Sequence, residues 1–134
     1  MIAPTQGTQS HDSPASHGDV TVVDVPLGDR SYPIEISSAA VDRFATSITR
    51  ELEDLSHAIV IADEAVDSKW AQPLAKSLAT TGADHPIRVS RGTVPSGETS
   101  KSLAEFERLL EWILECGGDR RSVVIAVGGG VVGD

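Results

Sequence analysis

Residues 123–127, Val-Val-Ile-Ala-Val, form a continuous, mostly β-branched apolar run that enters three consecutive glycines, Gly128, Gly129 and Gly130. A run of this kind bounded by glycine reads as a strand buried on both faces, as in a parallel sheet. Glycines directly after such a strand remove every Cβ and permit positive φ, so bare backbone N–H groups can approach a ligand closely. Such a loop cradles a phosphate when the next helix aims its N-terminus at the anion, and that helix is expected to fall beyond Asp134. The alternative is a tight strand-to-helix turn that needs glycine only for packing. Gly128, Gly130 and Gly133 also satisfy G-x-G-x-x-G. That pattern is weak alone, because the acidic partner expected about 20 residues later would fall beyond Asp134.

Upstream the chain alternates between strand and helix patterns. Val20–Val25 and Arg30–Ile36 are strand-like runs joined across Leu27-Gly28-Asp29, which predicts a hairpin or paired strands, and Pro33 places the second run near a sheet edge. A helix capped by Ser37 or Ser38 follows, with Val41, Phe44, Ile48 and Leu52 at helical spacing. The strand Ala58–Ala62 ends at Asp63. Asp67 or Ser68 can cap the next helix, which carries Trp70, Leu74 and Leu78 on one face and has Gly82 beyond its end. Ile87–Ser90 reads as a short strand, and the loop from Gly92 to Lys101 leads into a helix carrying Leu103, Phe106, Leu109, Leu110, Ile113 and Leu114. Ser102 and Glu105 have capping-box spacing, and Gly117-Gly118 ends that helix. Alternation of this kind predicts an α/β fold, a Rossmann-like domain with a mainly parallel sheet. Residues 19–134 are assigned to that dinucleotide-binding domain, and the polar Pro/Gly/Ser/Thr tract 1–18 to a disordered tail.

In parallel sheets ligands bind beyond the carboxyl ends of the strands. Three features fall there. Asp63 is placed to accept from ribose hydroxyls or, equally, to cap a helix. Ser96-Gly97-Glu98-Thr99-Ser100-Lys101 offers a cation, a carboxylate and hydroxyls, or else ordinary helix-start chemistry. The third is the glycine loop. Cys116 reads as a small apolar residue and Trp70 and Trp112 as packing residues; His11 and His17, conceivable metal ligands, read as bland members of the polar tract, and His57 and His85 form no metal-ligand spacing with each other.

Composition removes other classes. A net charge of −9 argues against nucleic-acid or anionic-membrane partners. A single cysteine excludes an intrachain disulfide and fits a reducing compartment, the cytoplasm. No apolar run approaches the roughly 20 residues of a membrane span.

Three segments, Pro95–Ser102, Asp119–Asp134 and Arg30–Ile34, together resemble the N-terminal domain of 3-dehydroquinate synthase, and the resemblance runs from about Val20 to Asp134. It implies NAD-dependent cyclisation of 3-deoxy-D-arabino-heptulosonate 7-phosphate, a sugar phosphate, to 3-dehydroquinate with loss of phosphate, in the shikimate pathway. It implies NAD and a zinc or cobalt ion as cofactors, and a homodimer at full length. Carried over by position, cofactor contacts fall on Asp63, on Ser96, Gly97, Glu98, Thr99, Ser100 and Lys101, and on Gly129, Gly130, Val131, Val132, Gly133 and Asp134. Asp63 would meet the adenosine ribose, Gly129 and Gly130 the pyrophosphate, and Glu98 and Lys101 the ribose or nearby polar groups. Ala65 stands where the family often has a polar residue. The resemblance assigns the metal ligands and catalytic residues to a helical C-terminal domain, so none is assigned here. The chain is therefore read as an incomplete enzyme, inactive alone. A related sugar-phosphate cyclase, an iron-type alcohol or glycerol dehydrogenase, and a non-catalytic nucleotide-binding module are the alternatives.

Overall fold

A computed structural model describes residues 20–38, 41–52, 54–81 and 86–134. The proposed tail 1–18, with His11 and His17, lies outside these residues, as do Gly82 and His85. The chain divides into two units, Met1–Ala39 and Ala40–Asp134.

Within the first unit, β1 (Val20–Val25) pairs antiparallel with β2 (Tyr32–Ser37), as the two runs predict. The connection is a 3-10 turn over Gly28–Arg30, entered at Gly28 with φ +63°. The Ser31 hydroxyl fastens it by accepting from the Leu27 N–H and donating to the Gly28 carbonyl. Pro33 lies opposite Asp24 in this two-stranded sheet.

The second unit is built on β3 (His57–Asp63), flanked by β4 (Arg88–Val94) and β5 (Ser122–Val127), both parallel to it. The order β4-β3-β5 means that the chain crosses over β3 between its second and third strands. Alternation along β3 sends side chains to two faces. Ala58, Val60 and Ala62 pack with Ala45 and Ile48 of α1 (Val41–Glu51), and with Ala71, Leu74 and Leu78. Ile59 and Ile61 pack on the other side with Leu109, Trp112 and Ile113 of α4 (Leu103–Glu115). Burial of each such Ile or Val contributes about 1.5–3 kcal/mol. This is the expected Rossmann-like α/β architecture, with helices on both faces of a parallel sheet.

Several local expectations are corrected. The helix after β3 begins immediately, as α2 (Glu64–Val66), with Asp63 as its N-cap, so Asp67 and Ser68 are not caps. They open a π-helical turn, Asp67–Ala71, that leads into α3 (Gln72–Thr81). In a continuous α-helix the Pro73 ring would meet the Lys69 carbonyl four residues back, and widening the turn relieves that clash. Trp70 is 36% exposed rather than packed, its ring beneath the Lys69 ammonium, while Ala71 takes the buried position. Strand β4 continues past Ser90 through Gly92 to Val94. Glycine is accommodated there because the Trp112 indole lies on it: a Cβ would sit 2.9 Å from that ring. The strand buried throughout is β3, not the run before the glycines, since Val124 of β5 is 52% exposed.

The end of α4 follows expectation. Gly117, at φ +71°, donates to the Leu114 carbonyl and Gly118 to that of Ile113, the paired bonds of a Schellman ending. At its start Ser102 accepts from the Glu105 N–H, but the Glu105 carboxylate does not return the bond. Arg108 takes it in a bidentate pair and also donates to the Thr93 carbonyl.

His57, 1% exposed, starts β3 inside a polar network. Arg88 donates to its Nδ1 at 2.9 Å and to the Gly117 carbonyl at 2.8 Å. An arginine has no acceptor, so Nδ1 is unprotonated and Nε2 carries the proton, donated to Ser90 Oγ at 2.9 Å. Burial first, then the Arg88 charge, depresses the His57 pKa, against an opposing pull from Asp119.

Two outcomes follow. Gly92→Ala should destabilise the fold by about 1–3 kcal/mol, read from urea unfolding, because the Trp112 ring must move. A histidine with a depressed pKa binds its proton more readily in the unfolded chain. Its contribution is therefore complete above its ordinary value of 6.5 and declines as pH falls below it. Unfolding free energy measured from pH 7 to pH 5 should fall, and His57→Gln, which can accept from Arg88 and donate to Ser90, should flatten that slope.

Candidate nucleotide site

The route from β3 to β4 passes α3 on one face, and the route from β4 to β5 passes α4 on the other. The carboxyl ends of β3 and β5 therefore flank a topological switch point, the place where open α/β sheets bind ligands. Asp63 closes β3 there, and Gly128-Gly129-Gly130 follow β5.

The three glycines differ. A Cβ on Gly128 would lie 2.9 Å from Val132 Cγ2 and 3.1 Å from Asp63 Cβ, so this position is tied to packing. Gly129, Gly130 and Gly133 have nothing within 4 Å of a built Cβ. None of the four has positive φ, in contrast with the conformational freedom expected of them. What the loop uses is the missing side chain. Its geometry thus combines both readings, packing at Gly128 and open room at Gly129 and Gly130. The short helix α5 (Gly130–Gly133) starts from this loop without a side-chain cap on its first amides, and Val132 anchors it against Ile59 and Ile61.

Asp63 is an N-cap and more. Its Oδ1 accepts from the Ala65 N–H at 2.8 Å and from the hydroxyl of Ser96. Those two bonds, Ser96 first, hold the Asp63 carboxyl below the usual carboxylate range. Register explains the meeting. Val94 pairs beside Asp63, and two residues later the Ser96 hydroxyl reaches the Asp63 carboxylate. The segment between is shaped by Gly97, at φ +101°, by a 3-10 turn over Glu98–Ser100, and by a bond from Ser100 Oγ to the Pro95 carbonyl. Glu98 and Thr99 lie in that turn, both exposed.

Lys101 ends the segment and pairs with the Asp134 carboxylate, which raises the Lys101 pKa. A cavity of about 150 Å³ lies beneath this pair, lined by Ile61, Val94, Phe106, Leu109, Val131 and Val132 among others. The fold thus brings Asp63, Ser96 and Gly128 together and joins Lys101 to Asp134. The Asp63–Ser96 bond and the Lys101–Asp134 pair each span 33 residues, so neither had a local sequence signal. The strand register that aligns Val94 with Asp63 is the one feature that could have foretold the first.

Residues 91–134 match the family described as 3-dehydroquinate synthase N-terminal. A 3-dehydroquinate synthase from Rhodopirellula baltica is 46% identical over 117 residues, covering 84% of this chain and 30% of the relative. One from Bradyrhizobium diazoefficiens is 37% identical over 122 residues, covering 91% and 31%. The chain thus spans about 30% of the length of these curated relatives. Among solved structures, 2-deoxy-scyllo-inosose synthase complexed with carbaglucose-6-phosphate, NAD+ and Co2+ shares the fold, with TM-score 0.64 and 23% identity over 84% of this chain and 29% of that one. Over most of its length the chain is thus similar in sequence to 3-dehydroquinate synthases, and residues 91–134 match the N-terminal model of that family.

Proposed function

We propose that the chain is the NAD+-binding part of a 3-dehydroquinate synthase, acting on a seven-carbon sugar phosphate. The observation that carries this reading is an ionised carboxylate, Asp63, packed against Gly128 at the switch point and followed by Gly129 and Gly130, whose side-chain space is open. The dinucleotide-binding assignment covers residues 19–134, and every proposed contact falls in the unit from Ala40 onward. Asp63 accepts from the ribose diol. The backbone at Gly129 and Gly130 receives the pyrophosphate, because no side chain fills the space above it. Glu98 and Lys101 meet the ribose or its polar surroundings, with Ser96, Gly97, Thr99 and Ser100 shaping that wall. Val131, Val132, Gly133 and Asp134 close the other side.

NAD+ supplies a reversible hydride acceptor when bound. The chain's own residues bind and orient it by backbone amides, a carboxylate and one ammonium group. We assign the zinc or cobalt ligands and the substrate-gripping groups to the remaining length of the relatives, and homodimer formation to the complete enzyme. The single cysteine, which fits a reducing compartment, supports a cytoplasmic location. The inosose synthase of the same fold, crystallised with NAD+, supports a neighbouring reading, a cyclase for a different sugar phosphate.

Saturation-transfer NMR with NAD+ tests the site. Gly130→Val should weaken binding at least tenfold, about 1.4 kcal/mol, with the circular dichroism spectrum unchanged. Asp63→Ala should cost about 1–3 kcal/mol of binding. Gly128→Ala should instead lower thermal stability, since its Cβ meets Val132 and Asp63. Unaltered NAD+ binding in Gly130→Val would show that the loop is only a packing turn.

A further inference from the structure

We propose that Ser96 acts through Asp63: its hydroxyl fixes one carboxylate oxygen so that the other is presented to the ligand, and Ser96 itself donates nothing to that ligand. The inference rests on the assignment of Asp63 to a ribose hydroxyl.

A serine hydroxyl has one proton. Here that proton goes to Asp63 Oδ1, and one lone pair of the same oxygen faces the Ala65 N–H at 3.3 Å. The Ala65 N–H also reaches Oδ1, at 2.8 Å. Oδ1 therefore holds two donors, which orient the carboxylate plane. Oδ2 has no hydrogen-bond partner among the described residues and is the oxygen left to a diol.

The donor is well anchored. Ser96 follows Val94, which pairs with Asp63 itself in the sheet, and Pro95 between them restricts the backbone. Ser100 then ties the Pro95 carbonyl. The chain that carries the hydroxyl is thus held to the strand end that carries the carboxylate. Sequence position made Ser96 look like one more polar contact; geometry makes it a positioning residue.

Carboxyl-carbon NMR of the ligand-free protein reads the coupling directly. Ser96→Ala should move the Asp63 titration to higher pH, because a donor favouring the ionised form is lost, and Ser96→Thr should restore it. NAD+ titrations across pH should show the Ser96→Ala variant about five- to tenfold weaker, the fold-change of one net hydrogen bond. The acid limb of its binding profile should move in parallel with the Asp63 titration. A merely structural loop tether would weaken binding equally at every pH. That uniform loss, or an Asp63 titration unmoved in Ser96→Ala, overturns the proposal. Absence of NAD+ binding by the wild type, with the Asp63 shift intact in Ser96→Ala, would overturn the cofactor assignment while upholding the Ser96–Asp63 coupling.

Discussion

Six residues of β3, His57 to Ala62, are buried, and both edges of the strand are hydrogen-bonded. A strand enclosed this way has to be apolar on both faces, and Ala58-Ile-Val-Ile-Ala meets that demand with small residues towards α1 and α3 and isoleucines towards α4. The remaining elements of the second unit take their positions from it. The order β4-β3-β5 with helices on both faces then puts the open switch point where β3 stops, so the same burial that stabilises the fold locates the site.

Much of this was legible. Strand–helix alternation gave the α/β class, and the Gly117-Gly118 ending of α4 was readable because its Schellman bonds are local. Helical spacing at Trp70, Leu74 and Leu78 misled, because it looks like a regular α-helix, and a π turn changes which residues face the sheet. Pro73 was the available hint. Gly92 seemed to end β4, yet it lets the Trp112 ring lie on the strand, a contact between residues 20 apart that no local pattern contains. The run before the glycines looked like the enclosed strand. That distinction belongs to β3, because enclosure depends on which strands become neighbours, and spacing along the chain does not specify that order.

The site shows the same division. Asp63 and the glycine loop stand out in the sequence because strand ends punctuate it. Their division of labour does not, since it depends on which atoms face them. Gly128 serves packing while Gly129 and Gly130 leave room, although all three look alike in the sequence. Asp63 caps α2 and carries an ionised carboxylate at once, so the helix cap is present and is compatible with a ligand role. Its two donors come from Ala65, two residues away, and from Ser96, brought in by sheet register.

Arg108 binds Glu105 on α4 and reaches over to the Thr93 carbonyl near the end of β4. Among the described residues β4 has a strand neighbour on one side only, β3. An open strand edge is a template on which another chain can pair and aggregate. Charged side chains blunt such an edge, and this strand carries two, Arg88 and Arg91, held by the Gly117 carbonyl and by Asp67. Arg108 ties α4 to the strand just before the Pro95–Lys101 segment departs, so the helix is fastened beside the start of the segment that carries Ser96.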